Sequence, residues 1–386
     1  MKKILFVAHS GSQGGAELSL QTIFDELDRS KYEATAVFAW DGPMVEAARR
    51  RGVRAEILPL SWWMCFEPSP WYFKNLLLGS VPRIWQLTRT IRQNRIDLVY
   101  TNTAVVFDGA VAAWLAGVPH VWHVREVLKP SYMKPRILPL RLIARLIGRL
   151  SNRVVFASHS NLKASGRGIP EEKRAMVYNS VSIPGNDPPD RPNEILDRLG
   201  LGSDLRQCVV LWIGRFSERK NPLLLIRAVA RMKHAEKAAV VFVGEGPLEQ
   251  AMTGAIESLD LGDTCRIIGF QKELRPLFQL ADLLVLSSRE EAFGRVLIEA
   301  GAYGKPVVST RTEGPVEIVV DGQTGFLVDK HSENQLAEKI DRLVADPRKR
   351  TEMGRAGAMR VAELFSAKKN TRKIEGILDG ILNRAK

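Results

Sequence analysis

Two glutamates eight residues apart, Glu291 and Glu299, bracket the segment Phe293-Gly294-Arg295-Val296. Were the whole span helical, they would lie about 12 Å apart along the axis at ~1.5 Å per residue, so each could accept hydrogen bonds from hydroxyls on either side of a bound diphosphate. A helix starting near Phe293-Gly294 would leave unpaired amides at its N-terminus, which favour phosphate. Upstream, Gly214-Arg215-Phe216-Ser217-Glu218-Arg219-Lys220-Asn221-Pro222 places two cations, Arg215 and Lys220, just before a helix start marked by Pro222. An arginine fork and a lysine point charge together suit a diphosphate. Two further glycine turns, Val243-Gly244-Glu245-Gly246-Pro247 and His9-Ser10-Gly11-Ser12-Gln13-Gly14-Gly15-Ala16-Glu17, would let a ligand approach the backbone closely. Neither has the G-x-G-x-x-G spacing or a Walker lysine. Taken singly, each of these segments also reads as an ordinary βα turn, a basic loop or a solvated helix face.

The elements that must carry them alternate. Runs of buried-strand character at Lys3 to Ala8, Thr35 to Ala39, Leu98 to Thr101, His120 to Val124 and Val154 to Ala157 are separated by amphipathic stretches, the pattern of βαβ units in a parallel sheet. A break follows at Ile183 to Arg198, where Pro184, Pro188, Pro189 and Pro192 exclude helix and strand. The alternation then resumes with Val209 to Ile213, Ala239 to Val243, Arg266 to Ile268, Leu283 to Leu286, Pro306 to Ser309 and Gly325 to Val328. The expected architecture is α/β, with two Rossmann-like domains facing across a cleft. An N-terminal domain would span 1–182, a linker 183–204 and a second domain 205–365. A C-terminal helix over 366–386 has the N-terminal domain as its candidate packing partner. Such sheets bind ligands beyond the carboxyl ends of their strands, where every turn above is placed.

At 386 residues, 45% apolar and 26% charged, the chain has ample core for two domains, and disordered, collagenous and coiled-coil classes are excluded. Cys65, Cys208 and Cys265 have no metal-ligand spacing and suit a reducing cytoplasm. The apolar start Ile4-Leu5-Phe6-Val7-Ala8 is too short for the ~7–15-residue core of a signal peptide, and Gly109 to Val118 is far below the ~20 residues that span a bilayer. The net charge is +13, and most of it falls early: residues 1–200 hold 27 Lys and Arg against 18 Asp and Glu. Such a balance fits nucleic acid, phosphorylated small molecules or an anionic membrane. Nucleic-acid binding would interleave aromatics with the cations on a stacking surface, which is not the pattern here.

Taken in order and spacing, Gly14-Gly15-Ala16-Glu17, His123, Gly214-Arg215 with Lys220, Gly244-Glu245-Gly246-Pro247, the E-x7-E pair Glu291 and Glu299, and Gly322-Gln323-Thr324-Gly325-Phe326 resemble the retaining family 4 glycosyltransferases of GT-B fold. The resemblance covers nearly the whole chain. It implies transfer of a sugar from a nucleotide-sugar, a UDP-sugar before a GDP-sugar, to a lipid-linked or cell-surface polysaccharide acceptor. By it, Arg215 and Lys220 would hold the donor diphosphate, Glu299 the ribose and Glu291 the transferred sugar. The Phe293 and Gly294 amides would serve the phosphate and sugar side, and His123 would face the donor sugar as a catalytic residue alongside Glu291, Arg215 and Lys220. Gly15, Gly244 and Val296 would also line the donor, and Gly14, Glu17, Arg125 and Glu126 the acceptor or donor-sugar side. The chain departs from the family at Ala292, where many members have Gly, and at Arg295, where an aliphatic residue is common. No cofactor is implied, and with no Asp-x-Asp in the chain no metal site is expected. A sugar-nucleotide epimerase of the same fold is the alternative enzyme, and a nucleic-acid-binding protein the alternative outside enzymes.

From Lys129 to Arg153 the chain carries seven cations (Lys129, Lys134, Arg136, Arg141, Arg145, Arg149, Arg153) and no acid. At 100° per residue Arg141, Arg145 and Arg149 form one stripe, with Leu142, Ile143, Leu146, Ile147 and Leu150 as the apolar one. A peripheral location at the inner face of the cytoplasmic membrane is expected, with Trp62, Trp63, Phe66, Trp71, Tyr72 and Phe73, in a loop containing Pro68 and Pro70, as aromatic anchors. Because the expected diphosphate partners are two cations and backbone amides, calorimetry in EDTA should still show nucleotide-sugar binding. Lys220→Ala should weaken it by roughly 10-fold or more, the value of a charge-assisted hydrogen bond of about 1.5–3 kcal/mol. Binding abolished by EDTA would refute metal independence.

Overall fold

The structure is a computed structural model that describes residues 1–65, 70–130, 132, 134–135, 138–185 and 208–384. The chain forms two units, Met1–Ser180 with Ala367–Lys386, and Val181–Ser366. Most of the expected linker, 186–204, lies outside the described residues.

The first unit holds a seven-stranded sheet. Its strands are β1 (Lys2–Ala8), β2 (Tyr32–Phe38), β3 (Arg54–Ile57), β5 (Leu98–Asn102), β6 (His120–Val124), β8 (Arg153–Phe156) and β9 (Arg174–Met176), in the order β3-β2-β1-β5-β6-β8-β9. All pairings are parallel. A separate two-stranded ribbon joins β4 (Met64–Cys65) to β7 (Lys134–Pro135) antiparallel. The central strands are buried along nearly their whole length, which is why they read as continuous apolar runs. The edge strands β3 and β9 were not expected from the sequence, because a half-exposed edge needs no such run.

The second unit holds β10 (Cys208–Ile213), β11 (Ala238–Val243), β12 (Cys265–Ile267), β13 (Leu283–Leu286), β14 (Val307–Thr310) and β15 (Gly325–Val328), ordered β12-β11-β10-β13-β14-β15 and again all parallel. Its core centres on Trp212, Phe216 and Phe242. In both sheets the order reverses at one place, between β1 and β5 and between β10 and β13. Right-handed crossovers therefore put the helices before and after each reversal on opposite faces.

The helix Ala367–Leu382 belongs to the first unit, where Ile374, Leu378 and Leu382 join the core of β1 and β2. Glu375, buried, accepts hydrogen bonds from the Asp28 amide at 2.7 Å and from Arg372 at 2.6 Å. Leu378→Ala should therefore lower the first unit's stability by about 2–5 kcal/mol, read as a shift of the urea midpoint. A shift below about 0.5 kcal/mol would mean that this helix is not part of that core.

Candidate functional site

In the second unit, Lys220 leaves β10 and Glu291 leaves β13, the two strands flanking the reversal. A hydroxyl fixes their separation. Ser287, at the end of β13, receives the Trp212 indole N–H at 2.9 Å and donates to the Asn221 carbonyl at 2.9 Å, tying the turn after β10 to the end of β13. Lys220 Nζ then lies 2.5 Å from Glu291 Oε2, and Ser288 Oγ donates to the same oxygen at 3.3 Å. Burial works to raise the Glu291 pKa, but the charges of Lys220 and Arg219 and the hydrogen bonds from Lys220 and Ser288 outweigh it, holding the carboxyl below its ordinary value. Arg215, in the same turn after β10, is exposed.

The helix of the E-x7-E segment covers only Arg295–Ala302, so Glu291 stands in the turn before it rather than on its face. Gly294, the N-cap, has φ +91°, a conformation that glycine adopts at little cost. Phe293 and Gly294 are buried, and Val296, in the first turn, is half-buried. The glycine turn after β11 meets the one after β10 so closely that a Cβ on Gly244, at φ +143°, would fall 1.9 Å from the Gly214 carbonyl oxygen. Glu299 is half-buried and paired, with Arg295 Nε 2.7 Å from it. The departure at Arg295 thus supplies a partner that fixes the carboxylate expected to hold a ribose.

The first unit gathers a second cluster at the carboxyl ends of β1, β5 and β6. His9 Nδ1 is 2.8 Å from Glu17, which lies in the first turn of the helix Gly15–Glu26, and Gly14 is that helix's N-cap. Burial works to lower the His9 pKa, but the charge and hydrogen bond of Glu17 and the charge of Glu126 raise it above its ordinary 6.5. Glu126 accepts hydrogen bonds from the Ala104 and Arg125 amides, at 2.8 and 3.2 Å. Burial pushes its carboxyl up, and His9 and those amides only partly oppose the shift. Arg125 donates to Asn102 Oδ1 at 2.7 Å and to Asn179 Oδ1, while Asn102 donates to the Ala16 carbonyl at 3.0 Å.

His123 is buried, with Nδ1 2.5 Å from the Tyr100 hydroxyl and Nε2 without a hydrogen-bond partner among the described residues. Burial, then the Arg125 charge, keeps its pKa well below 6.5, so the ring is neutral at pH 7. The Tyr100 contact admits either direction; with the phenol donating to Nδ1, the neutral ring carries its proton on Nε2. His9, Tyr100, Asn102 and Asn179 carried no expected role. His9 and Asn102 stand where strands meet glycine or polar turns, a signal present in the sequence.

Arg141, Arg145 and Arg149 are exposed on the helix Leu140–Leu150, away from both clusters in sequence. The apolar stripe differs from expectation: Ile143, Ala144, Ile147 and Gly148 are buried, and Leu142 faces outward. Small residues define the buried face because the backbone packs closely, with a Cβ on Gly148 falling 3.2 Å from Ile169 Cα. The expected anchors Trp62 and Trp63 are also corrected. Trp63 is buried, donating to the Ala104 carbonyl at 2.6 Å and stacking on Trp122, and half-buried Trp62 donates to the His9 carbonyl at 3.1 Å. Pro70 opens a helix, Pro70–Gln93, rather than sitting in a loop. Phe66 and the side chains of Trp71, Tyr72 and Phe73 lie outside the described residues. Among the described residues, no three His, Cys, Asp or Glu side chains form a cluster able to hold a metal, and no helix is long and apolar enough to cross a membrane.

Residues 14–180 match the family "Glycosyl transferase 4-like domain" and residues 196–360 the family "Glycosyl transferases group 1". Over 319 residues the chain is 33% identical to D-inositol 3-phosphate glycosyltransferase of Arthrobacter sp. (strain FB24), covering 74% of this chain and 71% of that one. The chain belongs to the group 1, GT4-type glycosyltransferases. It is also 34% identical over 171 residues to the lipopolysaccharide core biosynthesis glycosyltransferase LpsE of Rhizobium meliloti, covering 44% of this chain and about half (49%) of that relative. Among solved structures, Anabaena Alr3699/HepE in complex with UDP and glucose matches 98% of this chain and 100% of its own, at TM-score 0.82 and 26% identity. Family membership favours sugar transfer over the epimerase and nucleic-acid readings.

The sign of the His9 shift gives a test. With its folded pKa above 6.5, the His9–Glu17 pair contributes its full stabilisation below pH 6.5 and loses it as pH rises through the folded value. NMR titration should place the His9 ring above 6.5, and Glu17→Gln, leaving burial opposed by Glu126 alone, should lower it. A native ring titrating below 6.5 would contradict the charged pair.

Proposed function

We propose that this glycosyltransferase moves a hexose from a UDP-sugar to a lipid-linked or cell-surface polysaccharide acceptor, retaining anomeric configuration and using no metal. A GDP-sugar is the alternative donor. The observation that carries the reading is the Lys220–Glu291 pair at the strand reversal of the second unit, next to the N-terminus of the helix Arg295–Ala302. Similarity to a protein whose crystals hold UDP with glucose, and in another structure UDP-glucose, supports uracil as the base.

In this reading Arg215, Lys220 and the Phe293 to Val296 amides hold the donor diphosphate beside Gly244. The bond from the anomeric carbon to the phosphate oxygen breaks, and its electron pair stays on the diphosphate. The acceptor hydroxyl oxygen bonds to the anomeric carbon on the face the phosphate leaves, and its proton passes to the leaving phosphate. Each donor aimed at the developing charge is worth about 10²–10³ in rate. Glu299, held by Arg295, takes the ribose hydroxyls, and Glu291 the sugar hydroxyls. In the first unit, neutral His123 offers Nε2–H to the donor sugar, Gly15 lines the donor, and Gly14, Glu17, Arg125 and Glu126 serve the acceptor or donor-sugar side. The LpsE similarity supports a glycan acceptor. The enzyme would work peripherally at the inner face of the cytoplasmic membrane, drawn there by its basic first unit.

The two glutamates separate the roles. Glu299→Ala should weaken free UDP and UDP-sugar alike, by about 10-fold or more for hydrogen bonds of about 1.5–3 kcal/mol to a charged group. Glu291→Ala should leave free UDP within a few-fold while lowering donor affinity and turnover. Calorimetry with both ligands decides it, and equal losses of free UDP in the two variants would overturn the assignment.

A further inference from the structure

Three helices of the first unit, Pro70–Gln93, Asp108–Ala116 and Leu140–Leu150, pack in series and carry most of the exposed large apolar side chains among that unit's described residues. Trp85 is 63% exposed and Trp114 is 68% exposed, with Val81, Leu115 and Leu142 also open to solvent. Indoles bury more apolar area than any other side chain, and leaving two of them in water on neighbouring helices marks an interaction surface.

The first two helices run side by side. Arg83 pairs with Asp108 at 3.1 Å, and further along both helices Arg92 donates to the Leu115 carbonyl at 2.8 Å. Counted from the Arg83–Asp108 level, Trp85 and Trp114 are offset along the axes by about 6 Å at 1.5 Å per residue. Arg89 lies over the Trp85 ring, 5.8 Å from its centroid, and both Arg89 and Arg92 are exposed. The third helix packs on the second and adds exposed Arg141, Arg145 and Arg149 beside Leu142. The one acidic residue in the three helices, Asp108, is buried against Arg83. Every exposed charge on these helices is therefore positive.

That chemistry selects the occupant. A second copy of this chain would set the same patch against itself and face arginine with arginine. An anionic bilayer offers phosphates to the arginines and a headgroup layer that suits indoles. We propose that this three-helix face docks the first unit on an anionic lipid bilayer, with Trp85 and Trp114 entering the headgroup layer and Arg89, Arg92, Arg141, Arg145 and Arg149 meeting lipid phosphates. It deepens, and rests on, the peripheral membrane placement proposed above, and assigns the anchoring to indoles other than Trp62 and Trp63.

The test floats the full-length chain with vesicles of phosphatidylglycerol and phosphatidylcholine, or of phosphatidylcholine alone. Recovery is expected on the anionic vesicles only, falling at high salt, and at least tenfold weaker partitioning is expected for the Trp85→Ser/Trp114→Ser variant. Brominated lipid should quench wild-type fluorescence more than that of the variant. Both positions are exposed, so melting temperature and UDP binding should be unchanged, and UDP calorimetry tests the donor site separately. Four results would overturn the proposal: no flotation of the wild type, equal flotation of the double variant, a dimer by light scattering that the double variant dissociates, or RNA retention that the double variant abolishes.

Discussion

Where strand order reverses in a parallel sheet, the two strands on either side send their following segments to opposite faces, and a gap opens between their carboxyl ends. This constraint underlies both units. In the first it brings His9 and Glu17 from beyond β1 near Asn102 and the residues after β6; in the second it sets Lys220 against Glu291. Neither cluster depends on nearness in sequence, since Lys220 and Glu291 are 71 positions apart. What holds them is buried and neutral: the Trp212–Ser287–Asn221 hydrogen bonds in one unit, and the Tyr100–His123 and Asn102–Ala16 bonds in the other.

The buried Lys220–Glu291 pair has an energetic consequence for the proposed chemistry. Glu291 is buried and Lys220 half-buried, and each charge is already met by the other before a ligand arrives. A diphosphate arriving at Lys220 would share its ammonium with Glu291 and would not find it bare, so part of the attraction is already spent in the empty site. Arg215, exposed in the same turn, has no acidic partner among the described residues. On the proposed reading the two cations therefore differ: Arg215 captures the anion from solvent, and Lys220 fixes it against a carboxylate that simultaneously addresses the sugar.

The same physics decides what was legible in the sequence. Strands such as β1, β5, β6 and β10 are covered on both faces, so they appear as apolar runs, and the glycine and charged turns after them could be assigned to ligand-binding edges directly. Edge strands β3 and β9 face water on one side and left no such run. The helix Leu140–Leu150 was legible as a helix, but its buried face was not: large residues set the expected stripe, whereas close packing chose Ala144 and Gly148 and turned Leu142 outward. His9 was visible as the last residue before a glycine turn, yet its pairing with Glu17 across that turn, reinforced by the charge of Glu126, is something only the fold supplies. Trp62 and Trp63 read as a flexible aromatic loop because nothing local shows that carbonyls of His9 and Ala104 await their indole N–H groups.

Charge is divided between the units by the same logic of burial and pairing. Several exposed cations on the second unit are paired with acids: Arg227 and Arg231 both meet Glu333, Arg289 meets Glu218 and Arg311 meets Asp321. Such exposed pairs add little stability, but they cancel the field of that unit at a distance. In the first unit, Arg89, Arg92, Arg141, Arg145 and Arg149 stand on helices whose one acid is buried. Five exposed arginines are thus gathered on helices that carry no exposed acid. A field of one sign on one face orients a protein before contact and falls off within about 8–10 Å at physiological salt. A donor site needs positive charge only at the diphosphate, so arginines and exposed indoles on adjacent helices are what a basic protein needs to approach an anionic surface in one orientation and settle into its headgroup layer.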